Sequence, residues 1–183
     1  MNRKPVGPGA AADTASAAGL GSFVVVTEIA EGQPLADPLF RRKYAAAAPP
    51  STHGHHIFAL LRCDDGNWAP ASYVNYLPFE GAMLIGGACT DGCVLAALSE
   101  RHRERIQAAG GLMMQTVRYG ERRFANRSIA TFGHCGDARS WSVLERCGYQ
   151  RLDHPYLVVR WNREPTGAER AELIARIEAL GEF

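Results

Sequence analysis

The sequence lacks any long apolar run. No stretch of its 183 residues approaches the roughly 18 consecutive apolar residues that a membrane-spanning helix needs. Arg3 and Lys4 are not followed by an apolar segment either, so we expect no secretory signal peptide. From these two absences we predict a protein that works in the cytoplasm and has no membrane partner.

The sequence also has little net charge. Its 20 basic and 19 acidic residues leave a formal charge of +1, so nothing in the overall charge favours a nucleic-acid partner, and we expect none. Seven of the basic residues nevertheless fall between Arg101 and Arg127, where Glu104 and Glu121 are the only acidic residues. Such an excess is typical of solvated helix faces, and it also fits a positive rim for an anionic ligand. Both interpretations stay open.

Cysteine usage and short motifs exclude several kinds of site. The five cysteines are odd in number and lack the spacing of a small disulfide scaffold, which indicates a reduced compartment. The sequence has no CxxC pair and no G-x-S-x-G nucleophile elbow. His53, His55 and His56 could converge on a metal ion, but no carboxylate or cysteine is placed to complete the site. We expect no metal, and keep a small metal-binding protein using His53–His56 as an alternative.

The hydrophobic pattern predicts a leader over residues 1–21 and a single domain over residues 22–183, with about seven strands, five helices and no internal repeat. A capping-box pattern opens a C-terminal helix over about residues 166–181. The other predicted helices cover Leu35–Ala47, Leu95–Ala108, the segment from Gly111 to Ala125, and Ala138–Cys147. The clearest predicted strands are Phe23–Ile29, Ile57–Leu61, Trp68–Leu77, Ala82–Ile85, Ile129–Phe132 and Leu157–Trp161.

The order of these elements predicts an α+β fold. Strands come first as antiparallel hairpins and later alternate with helices, which indicates a mixed, mostly antiparallel sheet with one parallel step. Gly86 and Gly87 interrupt the fourth strand, and glycines in strands often mark a bulge or a close backbone approach. We therefore expect an irregularity at that point of the strand.

The pair Gly110-Gly111 lies between two predicted helices. A glycine-opened helix leaves backbone N–H groups pointing beyond its N-terminus, where they can bind phosphate. The same pair also fits the C-cap of one helix followed by the start of another. The pair alone does not decide between these interpretations.

The segment from Arg105 to Tyr149 resembles the GNAT superfamily of acyl-CoA-dependent N-acyltransferases. Its pieces are the turn Gln107-Ala-Ala-Gly110-Gly111, a helix, a short strand, a second helix, and the pair Gly148-Tyr149 leading into the next strand. The coarse match in element order covers about Phe23 to Trp161. The predicted helix Leu95–Ala108 is an addition to the family pattern.

The resemblance implies a splayed sheet in which the pantetheine arm of acetyl-CoA, or of another acyl-CoA, lies between strands four and five. The diphosphate would then lie on N–H groups of about Ala109 to Met113, and a backbone N–H near Gly87 to Thr90 would bind the oxyanion. The cofactor-binding residues that it implies are Gly87, Ala88, Cys89, Thr90, Gln107, Ala109, Gly110, Gly111, Leu112 and Met113.

The catalytic side chains are less well indicated. Many family members carry a proton-donating tyrosine four residues before the glycine of the Gly-Tyr pair, and here that position is Leu144. Tyr149 is one nearby substitute. For the general base we consider His134 first, because histidine can change charge near neutrality, and then Glu80 and Asp91.

The predicted function is transfer of an acetyl or other acyl group from acyl-CoA to a primary amine by direct attack. The acceptor would be a small-molecule or peptide amine bound near Leu35 to Phe79, and a homodimer is an open option. The missing tyrosine motivates an alternative, a catalytically inactive CoA-binding or sensing module on the same fold.

Overall fold

All seven strands of the computed structural model, which describes residues 20–48, 50, 54–181 and 183, belong to one sheet. Within these ranges the strand order is β1-β2-β3-β4-β5-β7-β6. The strands are β1 (Val24–Ile29), β2 (His55–Arg62), β3 (Trp68–Phe79), β4 (Ala82–Thr90), β5 (Ala130–His134), β6 (Gln150–Arg151) and β7 (Leu157–Trp161).

Six helices accompany the sheet in the described ranges. The predicted helix Leu95–Ala108 is in fact two helices, because Ser99 has an extended backbone (ψ 151°) and its side chain accepts a hydrogen bond from the N–H of His102 at 3.4 Å. The helices are α1 (Gln33–Tyr44), α2 (Gly92–Ala96), α3 (Glu100–Ala108), α4 (Leu112–Phe124), α5 (Ala138–Arg146) and α6 (Gly167–Leu180).

The predicted mixed sheet is confirmed. Every pair of neighbouring strands is antiparallel except β4 and β5, which are parallel. Parallel neighbours need a crossover connection, and the chain between β4 and β5 supplies it through α4. The N-terminus of α4 therefore lies at the end of the sheet where β4 finishes.

Helices cover both faces of the sheet. On one face, Val117 and Phe124 of α4 share a buried cluster with Ile57, Val74 and Met83 of the sheet, and α5 packs there as well. On the other face, α1 and α6 form separate clusters with the two halves of the sheet. We call these two sides the α4 face and the α1 face.

Helix α1 ends at Tyr44, before the predicted end at Ala47. Ala45 adopts a left-handed conformation (φ 55°), and the chain then folds back onto the helix. The N–H of Ala48 donates to the Asp37 carboxylate at 3.0 Å, and the Gln33 amide donates to the carbonyl of Ala48 at 3.1 Å. These side-chain contacts end the helix before Pro50 is reached.

Local hydrogen bonds are present near both ends of the described chain. Residues 1–19 of the predicted leader lie outside the described residues, while Leu20 is buried and its carbonyl accepts the N–H groups of Phe23 and Val24. At the other end, Thr166 and Glu169 form the expected capping box of α6. In the described part of the chain, no helix is both long enough and apolar enough to cross a bilayer.

Candidate functional site

The sheet opens between β4 and β5. The two strands pair only as far as Ile85 and Gly133, while β4 continues to Thr90. The segment from Gly86 to Thr90 stays paired with β3 on one side and has no β5 partner on the other. We call the unpaired side of this segment the open edge, because its backbone groups are free of strand pairing on that side.

A bulge at Gly86 begins the open edge. The register with β3 moves from Asn75 opposite Gly87 to Tyr76 opposite Ile85, which leaves Gly86 as the extra residue. A side chain there would displace Leu77, since an added Cβ would lie 2.6 Å from Leu77 Cδ1. The irregularity expected at the two glycines is thus confirmed, and it changes which face the following side chains occupy.

The backbone of the open edge alternates in direction. The carbonyl of Cys89 accepts from the Ser72 hydroxyl at 3.4 Å and the N–H of Asp91 donates to Ala71 at 2.8 Å, so both residues face β3. Backbone groups alternate along a strand, so the N–H and C=O of Ala88 and Thr90 point to the open edge. Of the four residues from Gly87 to Thr90, these two present backbone groups to a ligand.

Cys89 has a different position from its neighbours. Its side chain packs in the buried cluster under α1, and burial raises the pKa of its thiol to about 12. A thiol held in this protonated form is a poor nucleophile. The position of Cys89 therefore does not suit a nucleophile.

The glycine pair closes one helix and precedes the next. The N–H of Gly110 donates to the carbonyl of Gln107 and that of Gly111 to the carbonyl of Ile106, both at 2.8 Å, with positive φ at both glycines. These two bonds form a Schellman motif at the end of α3. The helix-cap interpretation is therefore correct for these two N–H groups, which are already engaged.

The N–H groups that have no acceptor within a helix belong to the residues directly after Gly111. The first bond of α4 joins the N–H of Gln115 to the carbonyl of Gly111 at 3.3 Å, so the N–H groups of Leu112, Met113 and Met114 have no acceptor within the helix. The turn is open at Gly111, where an added Cβ would meet nothing within 4 Å, whereas the side chain of Met114 lies against Gly110. Within the predicted segment Ala109–Met113, the N–H groups of Ala109, Gly110 and Gly111 are engaged by α3, while those of Leu112 and Met113 have no acceptor within the helix.

Gln107 and Ala109 contribute to the turn through their carbonyls. The carbonyl of Gln107 accepts from Gly110, and the carbonyl of Ala109 accepts from the Gln115 amide at 2.5 Å. Ala109 is also buried. These two residues shape the turn through their backbone, and the exposed side chain of Gln107 lies beside it.

The basic residues near α4 divide into several groups. Arg105 lies over the ring of Phe23 at 4.7 Å, and Arg123 pairs with Glu28 at 3.1 Å, so neither forms part of one continuous rim. The guanidinium closest to the glycine turn comes from α5: a Cβ added to Gly110 would lie 3.1 Å from Arg146 Nη2. Positive charge beside the start of α4 adds to the helix dipole in favouring an anion there.

His134 lies at the opening. It follows Gly133, the last β5 residue paired with β4, and it is half-buried. Its ring contacts that of Phe183, with centroids 4.5 Å apart. Because Phe132 packs against α6, the alternation of the strand places His134 on the α1 face.

Asp91 and Glu80 occupy very different positions. Asp91 follows the open edge directly, but Arg42 Nε donates to its Oδ2 at 2.6 Å and the N–H of Cys93 donates to its Oδ1 at 2.8 Å. Glu80 lies in the β3–β4 turn, paired with Arg176 at 2.8 Å. It is about 20 Å from Gly86 along β4 at the rise of an extended strand. The structure does not bring Glu80 to the opening, and it gives Asp91 a helix-capping role.

Tyr149 is buried in the cluster on the α4 face of the sheet. Its hydroxyl donates to the carboxylate of Glu121, and burial raises its pKa well above the ordinary value of 10. Glu121 also accepts from Tyr76 at 3.4 Å, from Thr131 at 3.2 Å and from Arg160 at 2.9 Å. This network was not predicted from the sequence, where its only local signal is a glutamate that follows Gly120 in α4.

Tyr44 also lies at the opening, although nothing in the sequence indicated it. It ends α1, and its hydroxyl donates to the carbonyl of Ala88 on the open edge at 3.0 Å. A cleft of about 560 Å³ begins nearby, lined in part by Arg42, Asp91 and Val94. The end of α1 therefore borders both the opening of the sheet and this cleft.

The histidines of the metal-binding alternative do not converge. His53 lies outside the described residues, while His55 and His56 are successive residues of β2 and point to opposite faces. His55 Nδ1 lies 2.6 Å from a Glu28 oxygen, and His56 Nδ1 lies 2.7 Å from the Tyr73 hydroxyl. No group of three histidine, cysteine, aspartate or glutamate side chains suited to a metal occurs in the described ranges.

Comparison with known proteins identifies the fold. No protein-family model and no curated protein sequence matches the chain. The ribosomal-protein-S18-alanine N-acetyltransferase from Escherichia coli covers 79% of this chain with 97% of its own, at a TM-score of 0.56 and 8% identity. Tetrahymena GCN5 covers 72% with 86% of its own, at 0.46 and 6%. Its catalytic domain in complex with coenzyme A covers 79% with 95% of its own, at 0.45 and 8%. The first of these structures confirms the expected GNAT-like fold.

Proposed function

We propose that this chain is an acyl-CoA-dependent N-acyltransferase that moves an acetyl or other acyl group to a primary amine. The observation that carries the proposal is the coincidence of two features at one end of the sheet: the open edge of β4 and the free N-terminus of α4. One suits the amide groups of a pantetheine arm, and the other suits a diphosphate. Acyl-CoA carries both groups in one molecule.

The diphosphate would lie on the N–H groups of Leu112, Met113 and Met114. Three backbone donors, the helix dipole and the guanidinium of Arg146 all favour negative charge at this point. Gly111 supports the arrangement because its lack of a side chain leaves the approach open. From there the pantetheine arm would run along the open edge, where Ala88 and Thr90 offer backbone donors and acceptors.

The thioester would lie beside Ala88, with the acceptor amine arriving from the α1 face. An uncharged amine attacks the thioester carbonyl, and the N–H of Ala88 donates to the oxygen that becomes negatively charged. His134 lies on that face at the opening and would take the proton of the attacking amine, directly or through water. The C–S bond then breaks, and the sulfur takes up a proton and leaves as the thiol of CoA.

Binding and turnover are tested separately. Isothermal titration with acetyl-CoA should give saturable binding, and a protein that shows neither heat nor a thermal shift at millimolar ligand would contradict the proposal. Thiol release is then followed with a panel of amines that includes a peptide with an N-terminal alanine. That peptide is chosen because a protein of the same fold is named as an alanine N-acetyltransferase.

The alternative is a module that binds acyl-CoA without turnover. It is favoured by Leu144, which occupies the usual tyrosine position, is buried in the cluster under α5, and carries no proton donor. Saturable binding without thiol release from any amine of the panel would support this alternative. Enzyme-dependent thiol release that requires an amine would reject it.

A further inference from the structure

The end of α1 is fixed against the open edge by two contacts. Arg42 binds Asp91, the residue after β4, at 2.6 Å, and two residues later Tyr44 donates its hydroxyl to the carbonyl of Ala88 at 3.0 Å. The Tyr44 ring also contacts that of Phe40, with centroids 5.4 Å apart. The hydroxyl is therefore held at a defined point of the edge.

The position of this hydroxyl relative to a thioester follows from the strand. The N–H and C=O of Ala88 leave the backbone on the same edge, so a ligand oxygen on that N–H has the Tyr44 hydroxyl as its neighbour. The sulfur of a thioester is bonded to the same carbon as that oxygen. The residue remains accessible to a ligand, because 52% of Tyr44 is exposed.

We propose that Tyr44 is the catalytic acid that protonates the leaving thiolate, in place of the tyrosine that is missing at Leu144. The inference rests on the proposed acyl transfer. In this step the new N–C bond has formed, the C–S bond breaks with its electron pair going to sulfur, and the sulfur takes the phenolic proton. The phenolate then recovers, directly or through water, the proton that His134 took from the attacking amine, so that one amide and one thiol are produced.

Tyr44 is protonated at neutral pH. Burial, with smaller contributions from Cys89 and Asp137, raises the pKa of its hydroxyl above the ordinary value of 10. The competing tyrosine, Tyr149, has its hydroxyl engaged by the buried carboxylate of Glu121. Tyr44 is thus a hydroxyl at the open edge that has a proton to donate.

The experiment compares Tyr44→Phe with Tyr119→Phe. Tyr119 is a half-buried tyrosine of α4 that lines a cleft with Val24 and Val26. Titration with CoA measures binding to each variant. The ultraviolet absorbance of the bound CoA thiolate, with desulfo-CoA as the blank, is then followed against pH. This second measurement needs no acceptor amine.

We expect Tyr44→Phe to bind CoA about as well as the unmodified protein but to form the bound thiolate only at higher pH, because the donor to sulfur is gone. With an amine that is turned over, kcat should fall about 100-fold or more. Tyr119→Phe should change neither quantity.

Three outcomes would overturn the inference. An unchanged midpoint for the bound thiolate in Tyr44→Phe shows that Tyr44 does not touch the sulfur. Tighter CoA binding with the same midpoint shows that the hydroxyl only covers the Ala88 carbonyl. If the unmodified protein binds no CoA at all, the proposed function itself fails, and the inference fails with it.

Discussion

The hydroxyl of Tyr149 donates a hydrogen bond to the carboxylate of Glu121 in the core between α4 and the sheet. Four donors thereby meet one buried carboxyl group, and only Arg160 among them is positively charged. Each donor offsets part of the cost of burying this group, so the loss of any one of them is destabilising. Its role can be separated from catalysis by substitution.

Tyr149→Phe should destabilise the protein by about 1–3 kcal/mol, since Glu121 loses a donor that water cannot replace in the core. Thiol release should keep its kcat, because the hydroxyl lies away from the open edge. Urea unfolding and steady-state rates measure the two effects. Tyr156→Phe is the matched control, as Tyr156 is 62% exposed and should change stability by less than about 0.5 kcal/mol. A loss of kcat without a loss of stability would return Tyr149 to the list of catalytic candidates.

Glu121→Gln should remove a pH dependence of stability. Burial raises the pKa of Glu121 above its ordinary value of 4.5, although hydrogen bonds from Tyr149 and Arg160 act in the other direction. The folded state thus holds the proton more tightly than the unfolded state. The contribution to stability is complete below pH 4.5 and is lost as pH rises through the raised pKa.

The difference in free energy of unfolding between the two proteins, measured with urea at several pH values, isolates this effect from other carboxylates. It should decline for the unmodified protein relative to Glu121→Gln as pH rises above 4.5. A difference that is flat across the acidic range would show that the carboxylate is not destabilised by burial.

Gly111→Ala should weaken the binding of acetyl-CoA. The new methyl group would enter the open space before the free N–H groups of α4, and the positive φ of 92° adds strain at the turn. Gly66→Ala controls for the strain, because Gly66 also has a positive φ (85°) and open surroundings but lies in the β2–β3 turn. Titration should show an increase in Kd of about 10-fold for the first variant, a loss of roughly 1.4 kcal/mol, and none for the second. Equal affinities in both variants would argue against a diphosphate at this turn.

Gly120→Ala should destabilise the protein by about 1–3 kcal/mol through overpacking. An added Cβ would lie 2.3 Å from a ring carbon of Tyr76, whose hydroxyl is fixed by the carbonyl of Val117 at 3.0 Å. Gly167→Ala, in the first turn of α6 with nothing within 4 Å, should instead be neutral or stabilising. Thermal unfolding of both variants measures the contrast, and a neutral Gly120→Ala would mean that the ring of Tyr76 can move.

His134→Gln should lower kcat/KM about 100-fold, because an amide cannot accept the proton of the amine. His55→Gln is the control, as His55 pairs with Glu28 at the start of β2. Steady-state rates with one accepted amine, together with titration of acetyl-CoA binding, separate a loss of turnover from a loss of binding. If His134→Gln and His55→Gln turn over the amine equally well, the base is another group or water alone.

Local signals allowed much of this fold to be predicted from the sequence. The capping box of Thr166 and Glu169, the irregularity at Gly86 and the paired helix ends at Gly110 and Gly111 each depend on residues that are neighbours in the chain. The element order then predicted the one parallel step. These features were recoverable because backbone conformation and short-range hydrogen bonds determine them.

Contacts between distant residues could not be predicted in the same way. Tyr44 and Ala88 are 44 positions apart, and Tyr149 and Glu121 are 28 apart, so nothing in either local pattern indicates the partner. The sequence predicted that the N–H groups of both glycines are available to a diphosphate, whereas in the structure both of them donate to carbonyls of α3 in the Schellman motif. Only the three-dimensional arrangement shows which donors remain.

Helices α2 and α3 lie in the segment between Asp91, which follows β4, and Gly111, which precedes α4. Both ends of this insertion are fixed, one by Arg42 and the other by the bonds that close α3. A segment held in this way can vary between its ends without moving either the strand edge or the start of α4. The fold therefore offers a place where the sequence can change without shifting the open edge of β4 relative to the start of α4.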